Sequence, residues 1–128
     1  MATINSSTKN LIEDLASSNN ITVIWDKNPD SPIQEEVNRE RRVMKLKENI
    51  KSEDFDYLFS QHNIDYPVER NQEMFLFNAL HGIGHFQLEL WKPKTRDPIS
   101  DRLVNFDQDL KVDKWAYEEL LKMRSSLK

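Results

Sequence analysis

The sequence predicts an α+β fold: a small antiparallel-type sheet of three or four strands, packed with four or five helices. Strand-like alternation and helical periodicity both occur along the chain. The apolar run at residues 74–77, MFLF, contains no polar residue, which indicates an element buried on all sides. The 128 residues fit a single compact domain, 1–128, with a substantial core.

The N-terminal half is predicted to contain a helix, a strand and two more helices. Residues 6–18 have the apolar stripe of a short helix, and the β-branched and aromatic segment 21–25 is typical of a strand. The sequence SPIQ matches a capping box with proline at the first helical position, which favours a helix over residues 32–51. Ser52 then caps a second short helix that ends near residues 63–67.

The middle of the chain is open to two interpretations. Residues 71–81 fit a helix or a strand, and the helix is favoured because Gly82 is a typical residue after a helix end. The glycines of HGIGH are then expected to interrupt the element. Phe86, Leu88 and Leu90 alternate with polar residues, which predicts a strand over residues 85–91 with these three side chains in the core.

The C-terminal part is predicted as a strand followed by a helix. Residues 102–112 alternate between apolar and polar side chains, as a half-buried strand does. Asp113 is expected to cap a last helix over residues 114–126, with Ala116, Leu120 and Met123 facing inward.

Composition excludes several classes of function. The chain has no cysteine, so disulfides and thiolate metal sites are excluded and a cytoplasmic protein is expected. No apolar stretch is long enough to span a bilayer, and no secretory signal precedes the domain, so no membrane is expected. Phosphate-loop, dinucleotide and Gly-x-Ser-x-Gly motifs are absent. These absences predict a protein that is not an enzyme and has no cofactor.

Two charged surfaces are the predicted binding residues. Arg41, Arg42 and Lys45 would share one face of the helix over residues 32–51, where an acidic partner relieves their mutual repulsion. Asp107 and Asp109 would form an acidic strand face for a basic partner. For both sets the plain alternative is a solvated surface, which also protects an edge strand from aggregation.

His81 and His85 are the histidine pair with a spacing found among metal ligands. On a helix the pair would share one face, and across a hairpin the two side chains would face each other. A metal requires a third ligand, and His62, Asp65 and Glu89 are the nominees. None is convincing, so no metal is predicted and the pair is interpreted as a helix end followed by a strand.

The predicted function is a small non-catalytic domain that binds another protein, with an inhibitor of the antitoxin or immunity type as the specific form. The alternatives are a nucleic-acid binder that uses the basic face of residues 32–51, and a histidine-based metal site or enzyme at residues 81–85. The formal charge of −4, from 18 basic and 22 acidic residues, mildly disfavours nucleic acid.

Overall fold

The computed structural model describes residues 2–28, 30, 35–51, 72–91 and 98–123. Within these ranges the chain forms three helices and five strands, an α+β arrangement. The helices are α1 (Ser6–Ser18), α2 (Gln72–Gln87) and α3 (Pro98–Met123). The strands are β1 (Ala2–Thr3), β2 (Thr22–Asp26), β3 (Glu35–Asn38), β4 (Val43–Lys47) and β5 (Asn49–Ile50).

The three-stranded sheet is mixed, and the prediction of an antiparallel-type sheet is wrong. Its strand order is β2-β4-β3, with β4 in the centre. β3 and β4 form an antiparallel hairpin, so β4 runs in the direction opposite to β3 and lies parallel to β2. β1 and β5 form a separate antiparallel pair. The sequence alternation indicates strands but does not specify which neighbour each strand takes.

The helix predicted over residues 32–51 is also wrong, because its described part forms β3, β4 and β5. In β4, Met44 and Leu46 are buried while Val43 and Lys45 are half-buried on the other face. Residues spaced i, i+2 share one face of a strand, so this segment can cover the core as well as a helix would. The short helix predicted after Ser52 lies outside the described residues.

The first helix and strand are confirmed. α1 has the predicted bounds, and the side-chain oxygen of Asn5 accepts from the backbone N–H of Thr8 at 2.8 Å, which caps its first turn. β2 is shifted by one residue from the predicted strand. Both elements have a short-range signal that agrees with their packing, since Ile12 and Ala16 of α1 are fully buried.

α2 is the centre of the fold, and the helix interpretation of residues 71–81 is confirmed. The helix packs against β3, β4, α1 and α3, and every residue from Glu73 to Phe86 is buried. The strand predicted over residues 85–91 is wrong, because α2 continues to Gln87 and Leu88 is 38% exposed rather than in the core. A helix covered on several sides has no polar face, so its sequence does not show a 3.6-residue period.

The two glycines in α2 are packing residues and do not interrupt the helix. A Cβ at Gly82 would lie 2.5 Å from Met44 Sδ, whereas one at Gly84 would lie 2.8 Å from Val112 Cγ1 and 3.0 Å from Trp115 Cε3. Gly82 therefore lets α2 approach the sheet, and Gly84 lets it approach α3. The close packing offsets the cost of about 1 kcal/mol that a glycine adds inside a helix.

α3 replaces the strand and the final helix predicted for the C-terminal part. One helix runs from Pro98 to Met123, so Asp113 lies in its middle rather than at its start. Val112, Ala116 and Leu120 are fully buried with the i, i+4 spacing of one helix face. The inward positions of Ala116 and Leu120 are thus confirmed, while the described residues contain three helices instead of four or five. No helix among them is long and apolar enough to cross a bilayer.

Candidate metal centre

Two pairs of polar side chains face each other between α2 and α3. His81 and His85 are separated by one helical turn on α2, and Asp109 and Asp113 by one turn on α3. Residues spaced i, i+4 share a helix face. Gly84 lies between the two histidines in sequence and contacts Val112 and Trp115 of α3, so the helices are close where the four side chains meet.

Three of these side chains present donor atoms to a common point. The Nε2 atoms of His81 and His85 lie 3.2 Å apart. Asp109 Oδ1 lies 3.5 Å from His81 Nε2 and 3.7 Å from His85 Nε2. A ligand atom from each residue lies within 4.8 Å of the others, a spacing that suits one metal ion. Two imidazoles and a carboxylate are a donor set that divalent zinc and iron bind in proteins.

The other ring nitrogen of each histidine has its own hydrogen-bond acceptor. His81 Nδ1 lies 2.7 Å from Asp113 Oδ1, and His85 Nδ1 lies 2.7 Å from the carbonyl oxygen of Leu90. Metal-bound histidines usually donate their second N–H to a carboxylate or a backbone carbonyl, which fixes the orientation of the ring. Both histidines therefore have an oxygen at Nδ1 of the kind that usually orients a metal-bound imidazole.

The end of α2 holds the Leu90 carbonyl in place. Leu90 N–H donates to the carbonyl of His85 at 3.1 Å, while the Leu90 carbonyl accepts from the His85 ring. Glu89, the residue before Leu90, has a φ of 53°, the left-handed conformation that commonly ends a helix. The same turn thus ends α2 and orients the His85 imidazole.

The hydrogen-bond partners also determine which ring nitrogens carry hydrogen. A carbonyl oxygen only accepts, so His85 Nδ1 carries the hydrogen and the neutral ring has a lone pair at Nε2. An ionised Asp113 also only accepts hydrogen bonds, so beside it His81 likewise carries its hydrogen at Nδ1. The two Nε2 lone pairs then point at each other and at the Asp109 carboxylate, and a cation between these three acceptors would stabilise them.

Asp113 can also take part in a second, metal-free arrangement. Burial raises the pKa of the Asp113 carboxyl above its ordinary value. The hydrogen bond from His81 to this carboxyl and the charge of His81 lower the same pKa by less. A protonated Asp113 would donate to His81 Nδ1, and His81 Nε2–H would donate to His85 Nε2. In that chain His81 Nε2–H lies 3.2 Å from His85 Nε2 and 3.5 Å from Asp109 Oδ1, so hydrogen bonds connect the cluster when no metal is bound.

Trp91 covers one side of the histidine pair. Its ring is stacked with that of His85 at a centroid distance of 6.2 Å and meets Phe86 edge-on at 4.8 Å. The guanidinium of Arg39 lies 5.5 Å from the indole centroid, and the side-chain N–H of Gln108 donates to the Trp91 carbonyl at 3.1 Å. These contacts connect Trp91 to both the β3–β4 turn and α3.

The predicted basic surface is not a helix face in the structure. Arg41 and Arg42 lie in the turn between β3 and β4, and Lys45 lies in the central strand β4. Arg42 donates to the carbonyls of Asn20 at 2.9 Å and Asn19 at 2.5 Å, and its guanidinium lies 5.0 Å from the Phe86 ring centroid. Arg42 is thus held at the end of α1.

Asp107 and Asp109, the two predicted acidic residues, lie on different sides of α3. Asp107 is exposed and forms an ion pair with Lys111 at 3.0 Å on the solvent side of α3. Asp109 points to the histidines, with its side chain 33% exposed. Among the nominated third ligands, Glu89 is exposed in the turn after α2 and is not in the cluster. His62 and Asp65 lie outside the described residues.

Sequence reasoning identified the histidine pair but missed its carboxylates. Asp109 and Asp113 have the same i, i+4 spacing as the histidines, a signal that has meaning only if residues 102–113 are helical. The strand prediction placed Asp109 and Asp113 in different elements. A helix prediction over this segment would have put both carboxylates on one face.

Comparison with known proteins gives no relative to which this chain can be assigned: no family model, curated protein or solved structure matches it.

Proposed function

We propose that the protein binds a divalent transition-metal ion through His81, His85 and Asp109. The observation that carries the proposal is the convergence of two Nε2 atoms and one carboxylate oxygen within 4.8 Å, on two facing helices. Because His81 and His85 are buried, the fold has already removed water from both imidazoles.

The contacts of the two Nδ1 atoms support the same proposal. The Leu90 carbonyl accepts from His85 Nδ1 at 2.7 Å, and an ionised Asp113 accepts from His81 Nδ1 at 2.7 Å, which directs both Nε2 lone pairs toward Asp109. The proposal departs from the sequence-based prediction of no metal. That prediction depended on the lack of a third ligand, and Asp109 supplies one.

The donor atoms limit the kind of metal. Imidazole nitrogen suits zinc, iron, nickel and copper, whereas magnesium and calcium prefer oxygen ligands. Two nitrogens and one oxygen therefore favour a first-row transition metal. Zinc is the simplest test ion because it has no redox chemistry and accepts this donor set without a strong geometric preference.

Isothermal titration calorimetry of chelator-treated, tag-free protein with zinc tests the proposal. We expect one equivalent to bind, and we expect His85→Ala and Asp109→Ala each to weaken binding by more than about 100-fold, beyond the loss typical when a residue that only hydrogen-bonds a metal ligand is changed. Asp107→Ala is the matched control, because Asp107 lies on the same helix and pairs with Lys111 outside the cluster. Circular dichroism of each variant shows whether it retains the fold.

Two results would contradict the proposal. Wild-type protein that takes up no zinc has no metal site. Zinc binding that survives both His85→Ala and Asp109→Ala in folded protein belongs to other residues.

Binding to another protein stays a prediction beside this proposal. Of its predicted residues, Arg41 is exposed in the β3–β4 turn, while Arg42 is engaged with α1 and Asp109 with the histidines. The basic surface is therefore less continuous than the sequence indicated. The inhibitor role, the nucleic-acid alternative and the absence of catalysis also stay predictions.

A further inference from the structure

We infer that the metal ion held by His81, His85 and Asp109 has an exchangeable coordination position, which binds a small anionic ligand from solvent. This inference rests on the proposed metal site. The described residues supply three donor atoms to the cluster. Zinc and its neighbours take four or more ligands in proteins, and sites with three protein donors keep a position for water or substrate.

The burial of the three side chains shows where solvent reaches the cluster. The side chains of His81 and His85 are only 5% and 6% exposed, whereas that of Asp109 is 33% exposed. Solvent therefore meets the cluster at the carboxylate. On the histidine side, Asp113 and the Leu90 carbonyl occupy the two Nδ1 atoms, and the Trp91 ring is stacked with His85.

Charge determines the class of ligand. A divalent ion bound by two neutral imidazoles and one carboxylate keeps a positive charge at its remaining position, which favours an anion, because the Asp113 carboxylate lies at Nδ1 of the His81 ring and not on the ion. The close approach of α2 and α3 at Gly84, beside the cluster, favours an anion of small size. Hydroxide, azide and a small carboxylate have this chemistry, and the first of these is formed from water by the metal itself.

Cobalt(II) provides the experiment, because its visible absorption reports the ligands around the ion. Apo protein is loaded with one equivalent of cobalt(II), and the spectrum is recorded while sodium azide is added, with sodium perchlorate, whose anion coordinates metals very weakly, at equal ionic strength as the control. We expect a saturable spectral change with azide that perchlorate does not reproduce at the same concentration. A metallochromic dye in a parallel sample measures any cobalt released.

The outcomes separate this inference from the proposal beneath it. Cobalt that binds through His81, His85 and Asp109 but shows no azide-dependent change overturns the exchangeable position and leaves the metal site standing. A spectral change that accompanies release of cobalt to the dye also overturns it, because azide is then removing the metal. Protein that takes up no cobalt or zinc overturns both.

Discussion

The Nε2 atoms of His81 and His85 lie 3.2 Å apart on one face of α2, while each Nδ1 atom has its own acceptor. Asp113 and the Leu90 carbonyl thus determine the direction of both imidazoles, and Asp109 completes the donor set from α3. The candidate site therefore depends on the distance between α2 and α3 as much as on its ligands.

Gly84→Ala should separate the two helices. The added methyl would lie 2.8 Å from Val112 Cγ1 and 3.0 Å from Trp115 Cε3, both in well-packed side chains. Overpacking of this kind costs about 1–3 kcal/mol. We expect lower stability in urea unfolding, together with weaker zinc binding, because Asp109 moves away from the histidines.

Gly82→Ala is the matched control for this effect. Its methyl would meet mainly the Sδ atom of Met44 at 2.5 Å, on the sheet side of α2. A methionine side chain adapts more readily than a valine or an indole ring. We expect zinc affinity to be retained in folded Gly82→Ala protein. Equal loss of affinity in both variants would mean that general destabilisation, rather than the α2–α3 distance, weakens the site.

Asp113→Asn should weaken zinc binding by about 10–100-fold, the usual effect of changing a residue that hydrogen-bonds a metal ligand. The asparagine oxygen can still accept from His81 Nδ1, but it lacks the negative charge that makes the imidazole a stronger ligand. Zinc titration of the folded variant measures this loss. Unchanged affinity would show that Asp113 does not tune His81.

The same substitution has a different effect on the metal-free protein. Burial raises the pKa of Asp113, so this carboxyl contributes stability below its unfolded pKa and loses it as the pH rises through its folded value. At pH 7 we therefore expect metal-free Asp113→Asn to be at least as stable as wild type in urea unfolding. This advantage should shrink as the pH falls toward the ordinary pKa of aspartate. A clear loss of stability at pH 7 would indicate that the ionised carboxylate supports the fold.

Arg42→Ala should destabilise the protein, whereas Arg41→Ala should not. Arg42 donates to the carbonyls of Asn19 and Asn20 at the end of α1 and contacts Phe86. A hydrogen bond contributes about 0.5–1.5 kcal/mol net, and the exposed position of Arg42 places its loss toward the lower end of that range. Arg41 is exposed, so its substitution should stay within about 0.5 kcal/mol. Thermal unfolding of both variants measures the difference, and equal melting temperatures would contradict it.

Trp91 should report metal binding by fluorescence. Its ring is stacked with the His85 ring at a centroid distance of 6.2 Å, whereas Trp25 lies on β2 and its side chain donates to Glu13 of α1. Paramagnetic cobalt quenches an indole that lies close to it. Trp115 also lies near the cluster, against Gly84, so we expect cobalt to quench wild-type emission and to quench a variant with both Trp91→Phe and Trp115→Phe much less. Trp25→Phe is the control and should keep the quenching; its loss there would place the metal elsewhere.

The sequence predicted best those elements whose local pattern agrees with their packing. α1 has an apolar stripe on one side and a polar side in solvent, and its predicted bounds match the structure. The burial of residues 74–77 on all sides is confirmed for the same reason, since an apolar run leaves no face for water.

Predictions failed where one pattern fits two structures. Met44 and Leu46 in β4 and Val112 in α3 occur in segments that fit both periods, and only their neighbours in space decide between them. The glycines of α2 were interpreted by their backbone freedom, although contacts with Met44 and Val112 explain them. Such contacts join residues far apart in sequence, so local reasoning cannot predict them.

The sequence predicted the histidines of the site but not its carboxylates, for the same physical reason. The spacing of His81 and His85 is local and was recognised, whereas Asp109 becomes a ligand candidate only through the packing of α3 on α2. The prediction of Asp109 on an acidic strand face is wrong because residues 102–112 were assigned the two-residue period of a strand, whereas they lie in the helix α3.

Long-range ¹⁵N–¹H NMR of the histidine rings tests the central claim most directly, because it identifies the protonated and metal-bound nitrogens of each imidazole. The chain has three histidines, so assignment is simple. With zinc at neutral pH, we predict that His81 and His85 both keep hydrogen at Nδ1 while both Nε2 signals shift to metal-bound values. If zinc leaves both Nε2 signals unchanged, or if either ring binds it through Nδ1, the proposed centre is contradicted.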